Sequence, residues 1–310
     1  GVMIFDIVHI IRNGWWDELK EALDETKLDE AGMIKGTVTC DGKGIANVVV
    51  TDGLRCVTTD KNGIYHLPNL GNTRFVYITT PAGYLTDCEQ TIPRFYQEID
   101  LSKTNEYNFR LKKNPKDDSK HLFVLEADVQ AGLKEHWDLY APIVDDYKQL
   151  IDQHTDRDVF GLNCGDIFWD TPATFFPPYI DKAKKLDIPI YRAIGNHDID
   201  CNGATHETSY RTFEGYFGPT HYSFNKGNAH YIVINNNFYV GREYFYIGYV
   251  DETTFKWLEE DLSYVPKGTL VFFITHIPTR ITEQKRPFNY DYGMLAGETI
   301  NAESVHRLLD

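Results

Sequence analysis

The chain is poor in basic residues and lacks a paired-cysteine motif. Its 31 lysines and arginines stand against 46 aspartates and glutamates, which gives a formal net charge of −15. Nucleic-acid binding requires a basic surface that faces the phosphate backbone, so this composition argues against a nucleic-acid partner. The 5 cysteines lack the spacing of a structural zinc site, and their odd number leaves at least one thiol unpaired. The acidic excess therefore acts mainly on solubility.

A long hydrophobic run is also missing from the N-terminal region. The apolar stretch at residues 2–11 is interrupted by Asp6 and His9. It is too short to cross a bilayer and has no basic start, so it predicts neither a membrane span nor a signal peptide. Apolar positions recur at helical spacing after Trp15, and Gly32 would end that pattern. Residues 1–30 are therefore predicted to be a separate, partly helical segment.

Residues 31–112 have the pattern of a small all-β sandwich. Short alternating runs are separated by dipeptides that favour hairpin turns. These dipeptides are Asp41-Gly42, Asp52-Gly53 and Asn62-Gly63. The region carries no cluster of catalytic residues, so we interpret it as a spacer or packing module, with a glycan or protein receptor as the alternative. The charged, proline-containing residues 113–120 are predicted to be a linker to a second domain at residues 121–310.

Polar clusters directly follow four apolar runs in the second domain. The runs at residues 121–127, 159–164, 189–194 and 270–274 have the length and the β-branched or aromatic content of buried strands. The polar residues that follow these runs in the sequence are Asp128, Gln130, Asp166, Asn196, His197 and His276. Because ligands bind beyond the carboxyl ends of strands in open α/β sheets, these clusters are expected to converge.

The donor groups in these clusters suit hard or borderline divalent metal ions. Carboxylate, amide and imidazole groups favour Mn, Fe, Zn or Mg, whereas thiolates would indicate structural zinc. A carboxylate shared by two ions roughly 3.5–4 Å apart forms a centre that stabilises both the attacking and the leaving oxygen at phosphorus. The clusters therefore predict phosphate chemistry with a bound water as the nucleophile.

The order of the clusters resembles the calcineurin-like metallophosphoesterases. The most specific match is Gly195-Asn196-His197-Asp198 after an apolar strand, and residues 216–224, 229–236 and 257–262 are also similar. The resemblance implies an α+β fold, a four-layer α/β/β/α metallophosphoesterase sandwich preceded by the small all-β module. That module resembles the carboxypeptidase regulatory-like, transthyretin-type domain that precedes such enzymes in a group of bacterial envelope proteins, which implies a periplasmic or cell-envelope location.

Carried over by position, the resemblance implies a role for each candidate residue. Asp128 and Gln130 would hold one metal ion, Asp166 would bridge two ions, and Asn196 and His276 would hold the other. His197 would be the catalytic residue, which donates a proton to the leaving oxygen or stabilises charge on phosphorus. The expected cofactors are two divalent metal ions, drawn from Mn, Fe, Zn or Mg.

The sequence departs from the family pattern at two places. The first motif of the family reads Asp-x-His, but Gln130 offers an amide oxygen here, which is expected to weaken that site and favour Mn or Mg. The last motif of the family, Gly-His-x-His, is absent. Residues 301–310 have helical spacing without a terminating Gly, Asn or Pro, so the natural chain is expected to continue beyond them.

The predicted function is hydrolysis of a phosphate mono- or diester by metal-bound hydroxide. The expected substrate is a small-molecule or envelope-derived phosphate ester, and the alternative is a noncatalytic envelope binding protein that keeps the fold. Two segments are expected to form the rim of the site: residues 199–214, with His206 and Arg211, and residues 279–299, with Arg280, Lys285 and Arg286. Trp169 is the aromatic residue expected nearest the pocket.

Overall fold

The computed structural model describes residues 32–69, 73–169, 172–200, 203–241, 245–279 and 296–310. The predictions for residues 1–30 and for Arg280, Lys285 and Arg286 lie outside these ranges. The described part of the chain combines several β-sheets with α-helices, which confirms the predicted α+β class. Among the described helices, none has the length and apolar character that a membrane crossing requires.

The N-terminal module is built from short strands joined by tight turns. One sheet has the order β2-β1-β11-β7, with β5 also paired to β1, and a second has the order β10-β6-β3-β4. Asp41 and Gly42 turn the chain between β1 and β2 with positive φ angles of 50° and 74°, as the predicted hairpin requires. The strands are β1 Met33–Cys40, β2 Lys43–Gly44, β3 Val49–Thr51, β4 Cys56–Thr58, β5 Ile64–Pro68, β6 Phe75–Ile78, β7 Tyr84–Leu85, β8 Cys88–Glu89, β9 Ile92–Pro93, β10 Tyr96–Glu98 and β11 Phe109–Lys113.

The second domain contains a parallel sheet of order β12-β13-β14 and a mixed sheet of order β15-β16-β19. Strands β17 and β18 form a separate hairpin. The strands are β12 Leu122–Glu126, β13 Val159–Asn163, β14 Ile190–Arg192, β15 Tyr222–Lys226, β16 Ala229–Val233, β17 Asn237–Gly241, β18 Phe245–Gly248 and β19 Leu270–Ile274. The helices are α1 His136–Asp152, α2 Pro172–Ala183, α3 Arg211–Phe217, α4 Glu252–Ser263 and α5 Ala302–Leu309.

The two sheets of this domain face each other through aromatic side chains. Tyr191 of β14 stacks on Phe224 of β15 with 3.6 Å between ring centroids, and Phe160 of β13 contacts Tyr231 of β16. Helices α1 and α2 cover the outer face of the parallel sheet, and α4 and α5 cover the outer face of the mixed sheet. The domain is therefore the predicted four-layer α/β/β/α sandwich, with one core between the sheets and one under each helical layer.

Two of the four predicted buried strands are only partly buried. β13 is buried along its whole length, whereas Phe123 and Leu125 of β12 are exposed, Leu125 to 57%. β19 is also mostly partly exposed. The prediction of burial was wrong for these strands because, among the described strands, β12 pairs only with β13 and β19 only with β16. An edge position leaves one side of a strand open to solvent. The edge strand β14 stays buried because the module covers it, through the hydrogen bond between Ile190 and Thr91.

The module packs directly on the second domain. Both contribute side chains to one hydrophobic core, and the backbone N–H of Ile190 donates to the carbonyl of Thr91 over 2.8 Å. The buried guanidinium of Arg192 donates to the carbonyl and the hydroxyl of the same Thr91. In the predicted linker, the carboxylate of Asp118 is buried and accepts the N–H of Gly83. These contacts agree with a packing role for the module.

Candidate metal centre

The strand ends bring three of the predicted ligands together. Asp128 follows β12, Asp166 follows β13 and His276 follows β19, and one donor atom of each lies within 4.8 Å of the other two. β12 and β13 run parallel in register, so their carboxyl ends meet at one edge of the sheet. Asp166 is 2% exposed, whereas Asp128 is open to solvent. The arrangement therefore has a buried centre and an accessible side.

The backbone at three candidate ligands adopts an uncommon conformation. Asp128, Gln130 and Asp166 have φ angles of 54°, 46° and 53°, in the left-handed region that residues other than glycine rarely occupy. Two interloop hydrogen bonds hold them there. Asp128 N–H donates to Gly165 O over 3.1 Å, and Gln130 N–H donates to Asp166 O over 2.9 Å. Such strain collects at functional sites, where the surrounding structure fixes it.

The carboxylate of Asp166 lies at the centre of the cluster. Its Oδ1 accepts the backbone N–H of His197 over 2.9 Å and lies 3.3 Å from His276 Nε2, and its Oδ2 accepts the side-chain amide of Gln130 over 3.1 Å. The same Gln130 amide donates to Asp128 Oδ1 over 3.3 Å. Burial by itself would raise the pKa of Asp166, but the hydrogen bond and charge of His276 outweigh it and hold the pKa below its ordinary value.

The imidazole of His276 is oriented by a backbone carbonyl. Its Nδ1–H donates to the carbonyl of Cys164 over 2.9 Å, which turns Nε2 towards the cluster. Nε2 lies 2.9 Å from Oδ1 of Asn196. Burial would lower the pKa of His276, but Asp166 outweighs it and the pKa is raised. A carbonyl partner on the second ring nitrogen is the usual arrangement for a metal-binding histidine.

This donor set fits a divalent metal ion. Two carboxylates and one imidazole nitrogen converge, and the amides of Gln130 and Asn196 contact the same groups. Such oxygen-rich sites with a single imidazole suit Mn, Fe, Zn or Mg. All five predicted ligands therefore lie in one continuous cluster.

His197 lies beside the cluster against an exposed indole. Its imidazole stacks on Trp169 with 4.2 Å between ring centroids and 19° between the ring planes. His197 Nε2 is 4.0 Å from Asp166 Oδ2. Trp169 is thus adjacent to the site, as predicted.

Asp198, the residue after His197, fixes the loops of the site. It is fully buried, and its two oxygens accept the backbone N–H groups of Phe168 and Gly195 over 3.1 Å and 2.9 Å. Burial raises the pKa of Asp198 to about 7. These contacts join the loop after β13 to the loop after β14.

The described rim residues have structural partners. His206 Nδ1 accepts the N–H of Tyr239 over 3.1 Å, and its Nε2 lies 3.8 Å from Asp251 Oδ2. Arg211 pairs with Glu214 one helical turn later. Both side chains are therefore engaged in contacts that hold α3, α4 and β17 in place.

Comparison with known proteins assigns the chain to a family. Residues 122–304 match the family model described as calcineurin-like phosphoesterase, which spans more than half of the chain. The chain belongs to the calcineurin-like phosphoesterase family. A second family model, described as the N terminal of calcineurin-like phosphoesterase, matches residues 32–114, which form the module. The predicted resemblance is therefore confirmed at the level of the family, while the bacterial-envelope type stays a prediction.

A solved structure similar to this calcineurin-like phosphoesterase is purple acid phosphatase PPD1 isolated from yellow lupin (Lupinus luteus) seeds. The identity is 14% and the TM-score is 0.38, over 83% of this chain and 48% of that chain. The chain thus corresponds to less than half of the length of the lupin protein. No curated protein matches the chain.

Proposed function

We propose that this protein is a metal-dependent phosphoesterase that hydrolyses a phosphate mono- or diester. The observation that carries the proposal is the convergence of Asp128, Asp166 and His276 around the buried Asp166 carboxylate. Membership of the calcineurin-like phosphoesterase family supports the same chemistry.

Each side chain has a distinct role in the proposed centre. Two divalent ions, drawn from Mn, Fe, Zn or Mg, would be held by Asp128 and Gln130 on one side and by Asn196 and His276 on the other, with Asp166 between them. When bound, the ions supply Lewis-acid activation of water and neutralise charge on the phosphate. The carbonyl of Cys164 keeps Nε2 of His276 directed inward. The hydrogen bonds of the Gln130 amide hold the carboxylates of Asp128 and Asp166 close together.

His197 is proposed to assist departure of the leaving group. Its Nε2 lies 4.0 Å from Asp166 Oδ2, so the ring borders the space where phosphate would bind. Stacking on Trp169 fixes the plane of the ring. A proton delivered from Nε2 to the leaving oxygen would remove the developing negative charge, a role that suits a histidine near neutral pH.

The proposed substrate is a small-molecule or envelope-derived phosphate ester, and a periplasmic or cell-envelope location is proposed with it. Both rest on the resemblance of the module, and the net charge of −15 argues only against a nucleic-acid substrate. Fractionation of cells that express the natural gene would test the location.

Metal restoration tests the activity. The protein is dialysed against a chelator, supplied with Mn, Zn, Fe or Mg in turn, and assayed with a chromogenic phosphomonoester and a phosphodiester. Restored turnover that is lost in Asp166→Asn and kept in Asp156→Asn, a change at an aspartate whose side chain is 77% exposed, would support the proposal. Stoichiometric metal binding without turnover of either substrate would favour the noncatalytic binding protein instead.

A further inference from the structure

Trp169 is an exposed aromatic residue that directly follows four buried residues of the loop after β13. Ile167 and Phe168 are fully buried, whereas Trp169 is 49% exposed. A single exposed apolar side chain is common on protein surfaces. Trp169 differs because it is only three residues from Asp166 and stacks on the imidazole of His197.

The backbone and Cβ of Trp169 are held in place. Its N–H donates to the carbonyl of Ala131 over 3.2 Å, and Ala131 forms a parallel bridge with Phe168. Gly132 packs so closely that a Cβ there would lie 3.0 Å from Trp169 Cβ. The indole therefore needs little ordering before it contacts a ligand, which reduces the entropic cost of binding.

We propose that Trp169 is a specificity-determining residue that stacks on a planar leaving group. The inference rests on the proposed function, in which His197 delivers a proton to the leaving oxygen. A leaving group bonded to that oxygen would begin beside His197 and so lie next to Trp169, whose ring is 4.2 Å from the imidazole. The substrate class is then a phosphate ester whose alcohol carries an aromatic ring, either an aryl alcohol or a nucleoside.

Two substrates of equal size separate stacking from general hydrophobic contact. Benzyl phosphate and cyclohexylmethyl phosphate differ in whether the ring is planar and aromatic, and their leaving alcohols have similar acidity. Stacking on an aromatic side chain is strong enough for about a tenfold preference. We expect kcat/KM of the metal-loaded protein to favour benzyl phosphate by about that factor, and thymidine 5′-phosphate to be favoured over ribose 5-phosphate if nucleosides are included.

Substitution of Trp169 tests the assignment. In Trp169→Ala the preference for benzyl phosphate should fall to about one, in addition to a loss of turnover that both substrates share because the ring of His197 is no longer stacked, and Trp169→Phe should keep part of the preference. Tyr264→Ala is the matched control, because Tyr264 is a 43% exposed aromatic residue at the end of α4. A preference that survives in Trp169→Ala, or an equal loss for both substrates, would overturn the proposal. The equal loss would instead mark Trp169 as a residue that only positions His197.

Binding provides a readout that does not depend on turnover. Phenethylphosphonate and cyclohexylethylphosphonate carry a methylene in place of the bridging oxygen of the two esters and cannot be hydrolysed. Calorimetric titration of each should show the same preference of about tenfold and its loss in Trp169→Ala. If no phosphate ester is hydrolysed by any variant, the proposed function fails. The phosphonate titrations then decide separately whether Trp169 selects planar groups.

Discussion

Gly195 lies so close to Asp166 that a Cβ on Gly195 would be 2.1 Å from the backbone nitrogen of Asp166 and 2.1 Å from its Oδ1. Asp166 is also fixed by the N–H of His197, two residues after Gly195. The glycine in the Gly-Asn-His-Asp motif is therefore a steric requirement, because the turn that carries Asn196 and His197 meets the central carboxylate at this point.

Replacement of Gly195 by alanine should damage both folding and the metal site. We expect Gly195→Ala to lower the free energy of unfolding by about 1–3 kcal/mol, since overpacked sites cost that much, and to weaken metal binding because Asp166 must move. Gly215→Ala is the matched control. Nothing lies within 4 Å of a Cβ at this helical position, so it should stabilise α3 by about 0.5–1 kcal/mol. Equal effects of the two changes in chemical denaturation would contradict the steric explanation.

Removal of the His197 imidazole should reduce turnover and leave metal binding intact. We expect His197→Ala to lower kcat by about 100- to 10,000-fold, the range of general acid–base catalysis, because the ring borders Asp166 without being one of the assigned ligands. His66→Ala, on an exposed face of β5 in the module, is the control and should change neither quantity. Loss of metal from His197→Ala by elemental analysis would show that the ring is a ligand.

Exchange of Gln130 for histidine should change the preferred metal. Histidine tolerates the left-handed backbone of this position better than most residues, and it replaces an amide oxygen with an imidazole nitrogen. The ratio of Zn to Mn affinity should rise in Gln130→His, because nitrogen donors favour the softer ion. Competition titrations with both metals measure the ratio, and an unchanged ratio would place residue 130 outside the coordination sphere.

The acid sensitivity of the fold should depend on Asp251. This residue caps α4 by accepting the N–H groups of Thr253 and Thr254. Burial opposes its ionisation, but the nearby His206 and the hydrogen bond from the Thr254 hydroxyl outweigh burial and hold its pKa below the ordinary value. A lowered folded-state pKa adds stability above the unfolded value of about 3.9, and that stability is lost as the pH falls further.

In Asp251→Asn the cap remains, since asparagine is an equally good N-cap, but the charge is gone. The variant should be less stable than the original protein at pH 6, and the difference should shrink below about pH 4. Urea denaturation at several pH values from 6 to below about 4 measures this difference in the free energy of unfolding. The control Asp156→Asn, at an exposed aspartate, should follow the original curve at every pH.

The positions of the strands and of the polar residues that follow them could be predicted from the sequence. β19 occupies the predicted residues 270–274, and β12, β13 and β14 lie within the predicted runs. Apolar β-branched runs followed by polar residues determine these elements locally, so their pattern is visible in the chain. Convergence of Asp128 and Asp166 then follows from the parallel pairing of β12 and β13. His276 follows β19 in the other sheet, so its place beside Asp166 depends on how the two sheets pack face to face.

Other features depend on contacts that no local pattern encodes. The carbonyl of Cys164 orients His276 across 112 positions of sequence, and a backbone group carries no signature of its own. The left-handed backbone of Gln130 is imposed by its bond to Asp166 rather than by its residue type. The exposure of β12 was missed because an apolar run has the same composition at the edge of a sheet and at its centre.

The edge of β12 that pairs with no described strand should affect the behaviour of the protein in concentrated solution. Leu125 on the strand and Leu139 and Ile143 on α1 line a cavity of about 550 Å³, and all three are exposed. Such a strand edge is a template for pairing with another chain. Electrostatic repulsion between molecules of net charge −15 opposes that contact at long range. Added salt screens this repulsion, and at 0.1 M its range falls to about 10 Å. Light scattering should therefore show the particles growing as sodium chloride is raised, and a lysine in place of Leu125 should suppress the growth.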